Sequence, residues 1–341
     1  MYIEKTSKLD ADEYSQLCSA SSESTFYSSF NHISFLSELL GIEPEFIIAK
    51  ENDELIGVLP YFSKTTDYGI VINSLPFFGS YGGIISTKNC NKEILDFFNE
   101  INKENKLLSS VIISNPFMKT YDDYDNFLNY NFIDKRRIQT IELKNATEEK
   151  LWVAFEQRVR RAIRKSTKEN VTFEISELND KIISDFYTFH KNEMDLKNGK
   201  SKPKNFFFLL QKYFTFGKDY ELFVAKKDSK PISYLLMFYS KNHAEYYMPA
   251  YDANFKYTQS TSLLIWESIK SALKKNLEFY NFGGTWENQP ELYRFKRGWS
   301  SHDYFYNYYI SGNIEKIKSI GMDNILSKFS YFYVAPFNQI K

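Results

Sequence analysis

The sequence has 341 residues, with 43 Lys plus Arg balanced by 43 Asp plus Glu, and 18% of it is aromatic, including 31 Phe and 26 Tyr. A formal net charge of zero excludes a globally basic nucleic-acid coat protein and an acidic disordered chain. The length suits about two domains with substantial cores, and the aromatic richness makes core packing the default reading of any single ring.

Two cysteines occur, Cys18 and Cys90, in no CxxC pattern and near no histidine cluster. Neither a zinc site nor a disulfide framework is expected, and a reducing cytoplasm fits. Met1 to Asp10 lacks an apolar signal core, and no run reaches the ~18 apolar residues of a membrane span.

Along the chain, residues 26–40 carry Phe30, Ile33, Leu36, Leu39 and Leu40 at helical spacing. Phe46 to Pro60 then reads as two strands around the polar turn Glu51 to Glu54, a hairpin signature. A helix over Lys92–Asn105 and a strand over Ser109–Ser114 follow. A helix over Thr147–Lys168 opens the second half, and residues 204–216 carry Phe207, Leu210 and Phe214 at helical spacing. Leu222 to Leu236 is another hairpin, turning at Lys227 to Lys230. A helix over Gln259–Asn276 and a strand over Leu277–Phe282 complete the order.

The two hairpins are similar. Ala49 matches Ala225, Lys50 matches Lys226 and Ile56 matches Ile232, all at an offset of 176. Each hairpin follows helical material and precedes strands, a long amphipathic helix and a strand. This duplicated alternation predicts two α/β domains, 1–145 and 146–311, with a tail over 312–341.

Three constellations can carry chemistry. On the helix over Leu151–Lys168, Leu151, Phe155, Val159, Ala162 and Ile163 form an apolar stripe. Arg158, Arg161, Lys165 and Lys168 form a second, basic stripe, to which Arg160 and Arg164 add charge. Such a face suits phosphate oxygens, and it equally suits plain solvation. Phe279-Tyr-Asn-Phe-Gly-Gly-Thr-Trp286 runs a strand into Gly283 and Gly284, where a ligand can approach the backbone closely beside Trp286. In the first half, Gly82 and Gly83 match this glycine pair. In Leu292-Tyr-Arg-Phe-Lys-Arg-Gly-Trp299, Arg294, Lys296 and Arg297 place three cations where they can close over an anionic group or simply form a solvated turn.

His32, His190, His243 and His302 fall in separate elements with no nucleophile spacing, and no Gly-x-Ser-x-Gly elbow is present. No covalent intermediate and no metal are expected.

The order of these motifs is similar to that of the FemAB-type family of peptidoglycan-bridge aminoacyltransferases, within the GNAT superfamily. The resemblance rests on the basic helix, on Phe223-Val-Ala-Lys226, on Ser262-Leu-Leu-Ile-Trp-Glu-Ser-Ile-Lys270, on Asn281-Phe-Gly-Gly-Thr285 and on Tyr293-Arg-Phe-Lys-Arg-Gly-Trp299. In the first half it rests on the hairpin and on Leu75-Pro-Phe-Phe-Gly-Ser-Tyr-Gly-Gly83.

The resemblance implies two tandem GNAT-like domains, each a central mixed sheet flanked by helices. It implies transfer of an acyl or aminoacyl group from a thioester or ester donor to an amine of a cell-envelope or nucleotide-linked sugar precursor. The donor would enter where strands over Ala244–Tyr251 and Glu278–Phe282 splay apart. Lys296 would contact a phosphate or steady the developing oxyanion. Arg158, Arg161 and Lys165 would dock phosphates, with Gly283, Gly284, Trp286, Arg294 and Arg297 lining the substrate. Tyr247, Asp252 and Glu287 are the candidates for the proton route.

Two donors stay open, aminoacyl-tRNA and acyl-CoA. The charged helical hairpin often inserted in tRNA-using members is not visible in the sequence. The alternatives are an acyl-CoA-dependent sugar N-acyltransferase of surface-polysaccharide synthesis and a non-catalytic binding module. Expected partners are a small-molecule or lipid-linked sugar substrate, a tRNA donor and peripheral contact with the inner face of the membrane. The acceptor is expected between the two domains.

Overall fold

A computed structural model describes residues 1–77, 81–118, 121–197, 199–337 and 339–340. Phe78, Gly79 and Ser80 of the first glycine-rich segment lie outside them. In chain order the elements are β1 (Tyr2–Thr6), α1 (Ala11–Ala20), α2 (Phe30–Leu40), β2 (Pro44–Glu51), β3 (Glu54–Thr66), β4 (Gly69–Asn73), β5 (Ile85–Ser86), α3 (Asn91–Ile101), β6 (Leu107–Ile113), α4 (Tyr121–Phe127) and β7 (Phe132–Glu142). They continue with α5 (Glu148–Ala154), α6 (Gln157–Lys168), β8 (Thr172–Ser176), α7 (Asp180–Leu196), α8 (Lys204–Tyr213), β9 (Tyr220–Lys227), β10 (Lys230–Ser240) and β11 (His243–Tyr251). The last are α9 (Ser260–Lys274), β12 (Phe279–Thr285), α10 (Pro290–Arg297), β13 (His302–Gly312), α11 (Ile314–Ile320) and α12 (Met322–Lys328).

The chain divides into two compact units, one of Met1–Arg137 with Tyr304–Lys341, the other of Ile138–Asp303. Within the first, strands run in the order β1-β2-β3-β4-β6-β13, and α3 crosses between the parallel strands β4 and β6. Its core gathers Ile47, Ile56, Leu59, Ile94, Phe98 and Ile112. Within the second, the end of β7 begins the order β12-β11-β10-β9-β8, and α9 crosses between the parallel strands β11 and β12. Its core gathers Phe223, Leu235, Leu264, Ile269, Tyr280 and Trp299. This is the expected mixed α/β architecture, repeated.

Both hairpins close alike. Asn52 and Asp53 turn with φ of 51° and 65°, and Asp228 and Ser229 with 50° and 63°. Two successive left-handed residues make a type I′ turn, whose twist matches that of the flanking strands. The register Glu51↔Glu54 recurs as Lys227↔Lys230.

The basic helix differs from expectation. It is two helices, broken where Phe155 and Glu156 take extended dihedrals. The Arg160 guanidinium donates to the carbonyls of Trp152, Val153 and Phe155 at 3.1, 2.8 and 2.8 Å, so it satisfies the end of α5. The apolar stripe survives the break, because Leu151, Phe155, Val159 and Ile163 all reach the core.

Candidate active site

Strands β11 and β12 pair at only three rungs: His243↔Phe279, Ala244↔Tyr280 and Glu245↔Asn281. Beyond the third rung each follows its outer neighbour. β11 stays bonded to β10 as far as Ser233↔Tyr251, and the Thr285 hydroxyl at the end of β12 donates to Gln139 Oε1 of β7 at 3.0 Å. The strands therefore part at Tyr246 and Phe282. The Asn281 amide marks the fork by donating to Glu245 Oε2 at 2.8 Å, while its Oδ1 accepts the Gly283 N–H at 2.8 Å. Next to the fork, the β10–β11 register shifts so that Tyr247 is an extra residue, a β-bulge. Bulges re-aim side chains and interrupt pairing, so one here widens the opening.

Lys296 lies on the β12 side of the fork. It is 3% exposed, and its Nζ donates to the carbonyls of Gly283 and Gly284 at 3.0 and 2.7 Å. Burial pulls its pKa down to about 7, because a low-dielectric site disfavours the ammonium. Gly283 sits at φ 72°, which frees its carbonyl to face the amine.

The remaining expected residues are more scattered. Arg158 donates to Glu156 Oε2 at 2.5 Å and to the carbonyl of Arg294, so it caps the end of α10. Arg297 caps locally on the carbonyl of Ser301. Arg161 and Lys165 project from α6 into solvent, and Arg294 is likewise exposed. Trp286 and Glu287 lie on an exposed turn after β12, where the Trp286 N–H donates to Gln289 Oε1 at 3.2 Å. Asp252 accepts from the Asn254 N–H and Nδ2, each at 3.0 Å, and so caps the short turn over Ala253–Thr258. Tyr247 is half-buried, and burial raises its phenol above the ordinary range. Its ring stacks on Phe206 with centroids 5.9 Å apart.

A family profile described as "Acetyltransferase (GNAT) domain" matches residues 154–297. The match lies within the second unit. FemX shares the fold at a TM-score of 0.70 and 14% identity, over 90% of this chain and 97% of that one. The C-terminal domain (DUF2156) of a putative lysylphosphatidylglycerol synthetase from Agrobacterium fabrum does so at 0.62 and 10%, over 94% and 98%. A tandem GNAT protein from the clavulanic acid biosynthesis pathway does so at 0.52 and 7%, over 91% and 98%. No curated protein matches the chain in sequence. The expected tandem GNAT fold is thus present, and the resemblance to the FemAB-type family holds at the level of fold through FemX.

The first unit has the same strand order at its corresponding place, and among the described residues its strand ends are bridged. Past the β4–β6 rungs, the Ser74 N–H donates to the Val111 carbonyl at 2.9 Å. The Ile113 N–H donates to Ser74 Oγ at 2.9 Å, and the Gly82 N–H donates to the Ile113 carbonyl at 2.8 Å. The C-terminal segment runs across these strand ends. Asn73 donates to the Tyr333 carbonyl at 2.8 Å and accepts its N–H at 2.7 Å, and Ser109 Oγ donates to the Val334 carbonyl at 2.5 Å.

Back at the fork, two groups escaped the reading of the sequence, Glu193 and Lys202, and a third, His190, was set aside by it. Glu193 of α7 is 12% exposed at its side chain. Lys202 is 7% exposed, with its Nζ 4.7 Å from the Tyr247 ring centroid and 5.2 Å from that of Phe206, and burial lowers its pKa to about 7. His190 accepts the Lys202 backbone N–H at 3.1 Å, and its pKa falls to about 4, first through burial and then through the charges of Lys202 and Lys197. The available signal was periodicity: Ile183, Phe186 and His190 mark the buried face of α7, and Glu193 is one turn further along it. No set of three or more His, Cys, Asp or Glu side chains that could hold a metal occurs among the described residues.

Proposed function

We propose that this chain moves an acyl or aminoacyl group from a thioester or ester donor onto an amine of a cell-envelope or nucleotide-linked sugar precursor. The observation that carries the proposal is the parting of β11 from β12 directly after the Glu245↔Asn281 rung. Parted strands present unpaired backbone N–H and C=O groups, to which an amide-bearing donor arm can add as a short strand would. The donor carbonyl then lies between fixed dipoles, and an uncharged amine attacks it. The gain comes from positioning and from stabilising the oxyanion.

In this reading Lys296, in its ammonium form, contacts a donor phosphate or the oxyanion, since two of its three donors are taken by Gly283 and Gly284 and the third remains for the ligand. Arg161, Lys165, Arg294 and Arg297 would supply a mobile positive field for phosphates. α9 starts just beyond β11, from Gln259 at φ 60° with no side chain on its first amides, and such a helix end favours an anion. The envelope side of the reading draws on the FemAB-type resemblance and on the lysylphosphatidylglycerol synthetase, whose name joins an amino acid to a phospholipid.

An acyl-CoA-dependent sugar N-acyltransferase is the second reading. It is favoured by the acetyltransferase description of residues 154–297 and by the zero net charge, which offers no broad surface for tRNA. No helix among the described residues is long and apolar enough to cross a membrane.

The test is thermal melting against acetyl-CoA, palmitoyl-CoA, alanyl-tRNA, a UDP-amino-sugar and a UDP-muropeptide, followed by mass spectrometry of the paired reactions. A ligand at about 100 times its Kd adds about 2.7 kcal/mol to stability. Stabilisation by a donor, with an acylated amine as product, is the expected result. A Lys296→Ala variant with full activity would remove Lys296 from the site.

A further inference from the structure

Among the carboxylates that the proposed mechanism leaves without a task is Glu193, 12% exposed at its side chain. On Glu193, Oε1 pairs with Lys197 Nζ at 2.5 Å, while Oε2 is enclosed and accepts no hydrogen bond from the described residues. A carboxylate oxygen shut away from water without a donor is a cost that native structures rarely carry without a functional return. The Lys197 pair does not account for it. Lys197 is 60% exposed, and an i,i+4 pair of that kind forms equally well on the outer face of a helix.

What Glu193 does have is a location. α7 packs on β11, and the Glu193 charge, after burial and Tyr280, helps to raise the Tyr246 phenol. Tyr246 is the first residue of β11 past the last rung, so Glu193 stands on the helix that packs beside the strand where the fork opens.

We propose that Glu193 is the proton acceptor for the attacking amine. This rests on the reading that the acyl donor lies in the fork. The acceptor arrives as an ammonium, R–NH3+, and seats on the carboxylate. One proton passes to Glu193 Oε2, leaving R–NH2. The nitrogen lone pair then forms the C–N bond, and the carbonyl π electrons move to oxygen. When the oxyanion collapses, the bond to the donor sulfur or oxygen breaks with its electron pair. The second amine proton goes to that leaving group, and Glu193 returns its proton to solvent. The donor and the ammonium are thus converted to amide, free thiol or alcohol and one released proton, and the carboxylate is regenerated.

Lys197, which pairs with Glu193, and His190, which accepts the Lys202 backbone N–H, share its helix, and Tyr246 of β11 is a phenol on which the Glu193 charge acts. Two turns earlier on α7, Phe186 packs against Phe207 of α8 and Tyr234 of β10. Burial keeps His190 neutral above about pH 4, so it does not titrate in the working range.

The test uses Glu193→Gln, which keeps size and shape. With acetyl-CoA and a UDP-amino-sugar, and with alanyl-tRNA and a UDP-muropeptide, kcat at pH 7 should fall 100-fold or more. The donor KM should stay within threefold. The residual rate should climb about tenfold per pH unit toward the pKa of the free amine, a slope the wild type lacks above neutrality. Glu193→Asp should recover part of the rate.

A structural role makes the opposite prediction for folding. If the carboxylate serves only to hold Lys197, Glu193→Gln and Lys197→Met should lose stability equally and leave the pH profile unchanged. If it is catalytic, Glu193→Gln should melt at or above the wild-type temperature, since the exposed Lys197 pair contributes little and the enclosed Oε2 has no donor to lose. A Glu193→Gln variant within threefold of wild type from pH 6 to 9 overturns the proposal. A wild type that no donor stabilises overturns instead the reading of the fork, and the proposal with it.

Discussion

Asn281 donates its side-chain amide to Glu245 at 2.8 Å across the last rung that joins β11 to β12. Both residues are buried, at 0% and 2% exposure, and the same Asn281 side chain accepts the Gly283 N–H. One amide thus sets where pairing stops and where the glycine turn begins. Asn281→Ala should cost about 1–3 kcal/mol, the range for removing one partner of a buried hydrogen bond, and should shift melting accordingly. Donor affinity should fall with it, because the fork loses its hinge. An Asn281→Ala protein that melts like the wild type would show that backbone pairing alone fixes the rung.

Lys296 and Lys202 carry a pH signature. Burial depresses each from an ordinary value near 10.5 to about 7. Between those values the unfolded chain holds a proton that the folded chain has released. Stability therefore rises as pH increases from about 7 toward 10.5, and the buried ammonium weighs against folding below 7. Lys296→Met and Lys202→Met should each flatten that rise in urea melts at pH 7 and pH 9.5. A slope unchanged in both variants would mean that the amines stay charged.

The first unit gives a stoichiometric prediction. Its corresponding strand ends are held together by Ser74, Gly82 and Ile113, and the segment at Tyr333 and Val334 runs across them. Calorimetric titration of the whole chain should find one donor site per chain. Asn73→Ala removes both bonds to Tyr333 and should lower stability without creating a second site. Two equivalent sites in the wild type would contradict this closed reading.

How much of this was readable in advance follows from what kind of order each feature needs. The hairpins were legible because Asn52-Asp53 and Asp228-Ser229 supply the residues that a type I′ turn demands within a few positions. The helices before and after them were legible from apolar spacing. The break at Phe155 was not, because it depends on Arg160 folding back onto three carbonyls, a contact that no periodicity encodes. Asp252 and Glu287 drew attention by following a strand and a glycine pair, yet one caps a turn and the other faces solvent. Glu193 drew none, because a carboxylate on a helix reads as surface until the partner strand shows which face is covered. Lys296 stood out through its motif, while the two carbonyls it holds required the fold.

The arginines of α6 separate structure from recognition. Arg158 spends its guanidinium on Glu156 and the Arg294 carbonyl, and Gly298 lets it come so close that a Cβ there would meet its Nη2 at 2.7 Å. Arg161 and Lys165 have no such commitment and stand in solvent one and two turns on. Arg158→Ala should therefore destabilise the second unit by about 1 kcal/mol, the usual scale for a lost hydrogen bond, and change donor affinity only through that loss. Arg161→Glu with Lys165→Glu should leave melting within about 0.5 kcal/mol, as surface substitutions do. The same pair should weaken binding of a phosphate-bearing substrate severalfold at low salt, and the difference should shrink as salt screens the field. Titration of acetyl-CoA and a UDP-amino-sugar at 20 and 300 mM salt reads this directly. If the double variant binds both as tightly as wild type at low salt, the basic face of α6 is solvated surface, and phosphate recognition must rest on Lys296 and the start of α9.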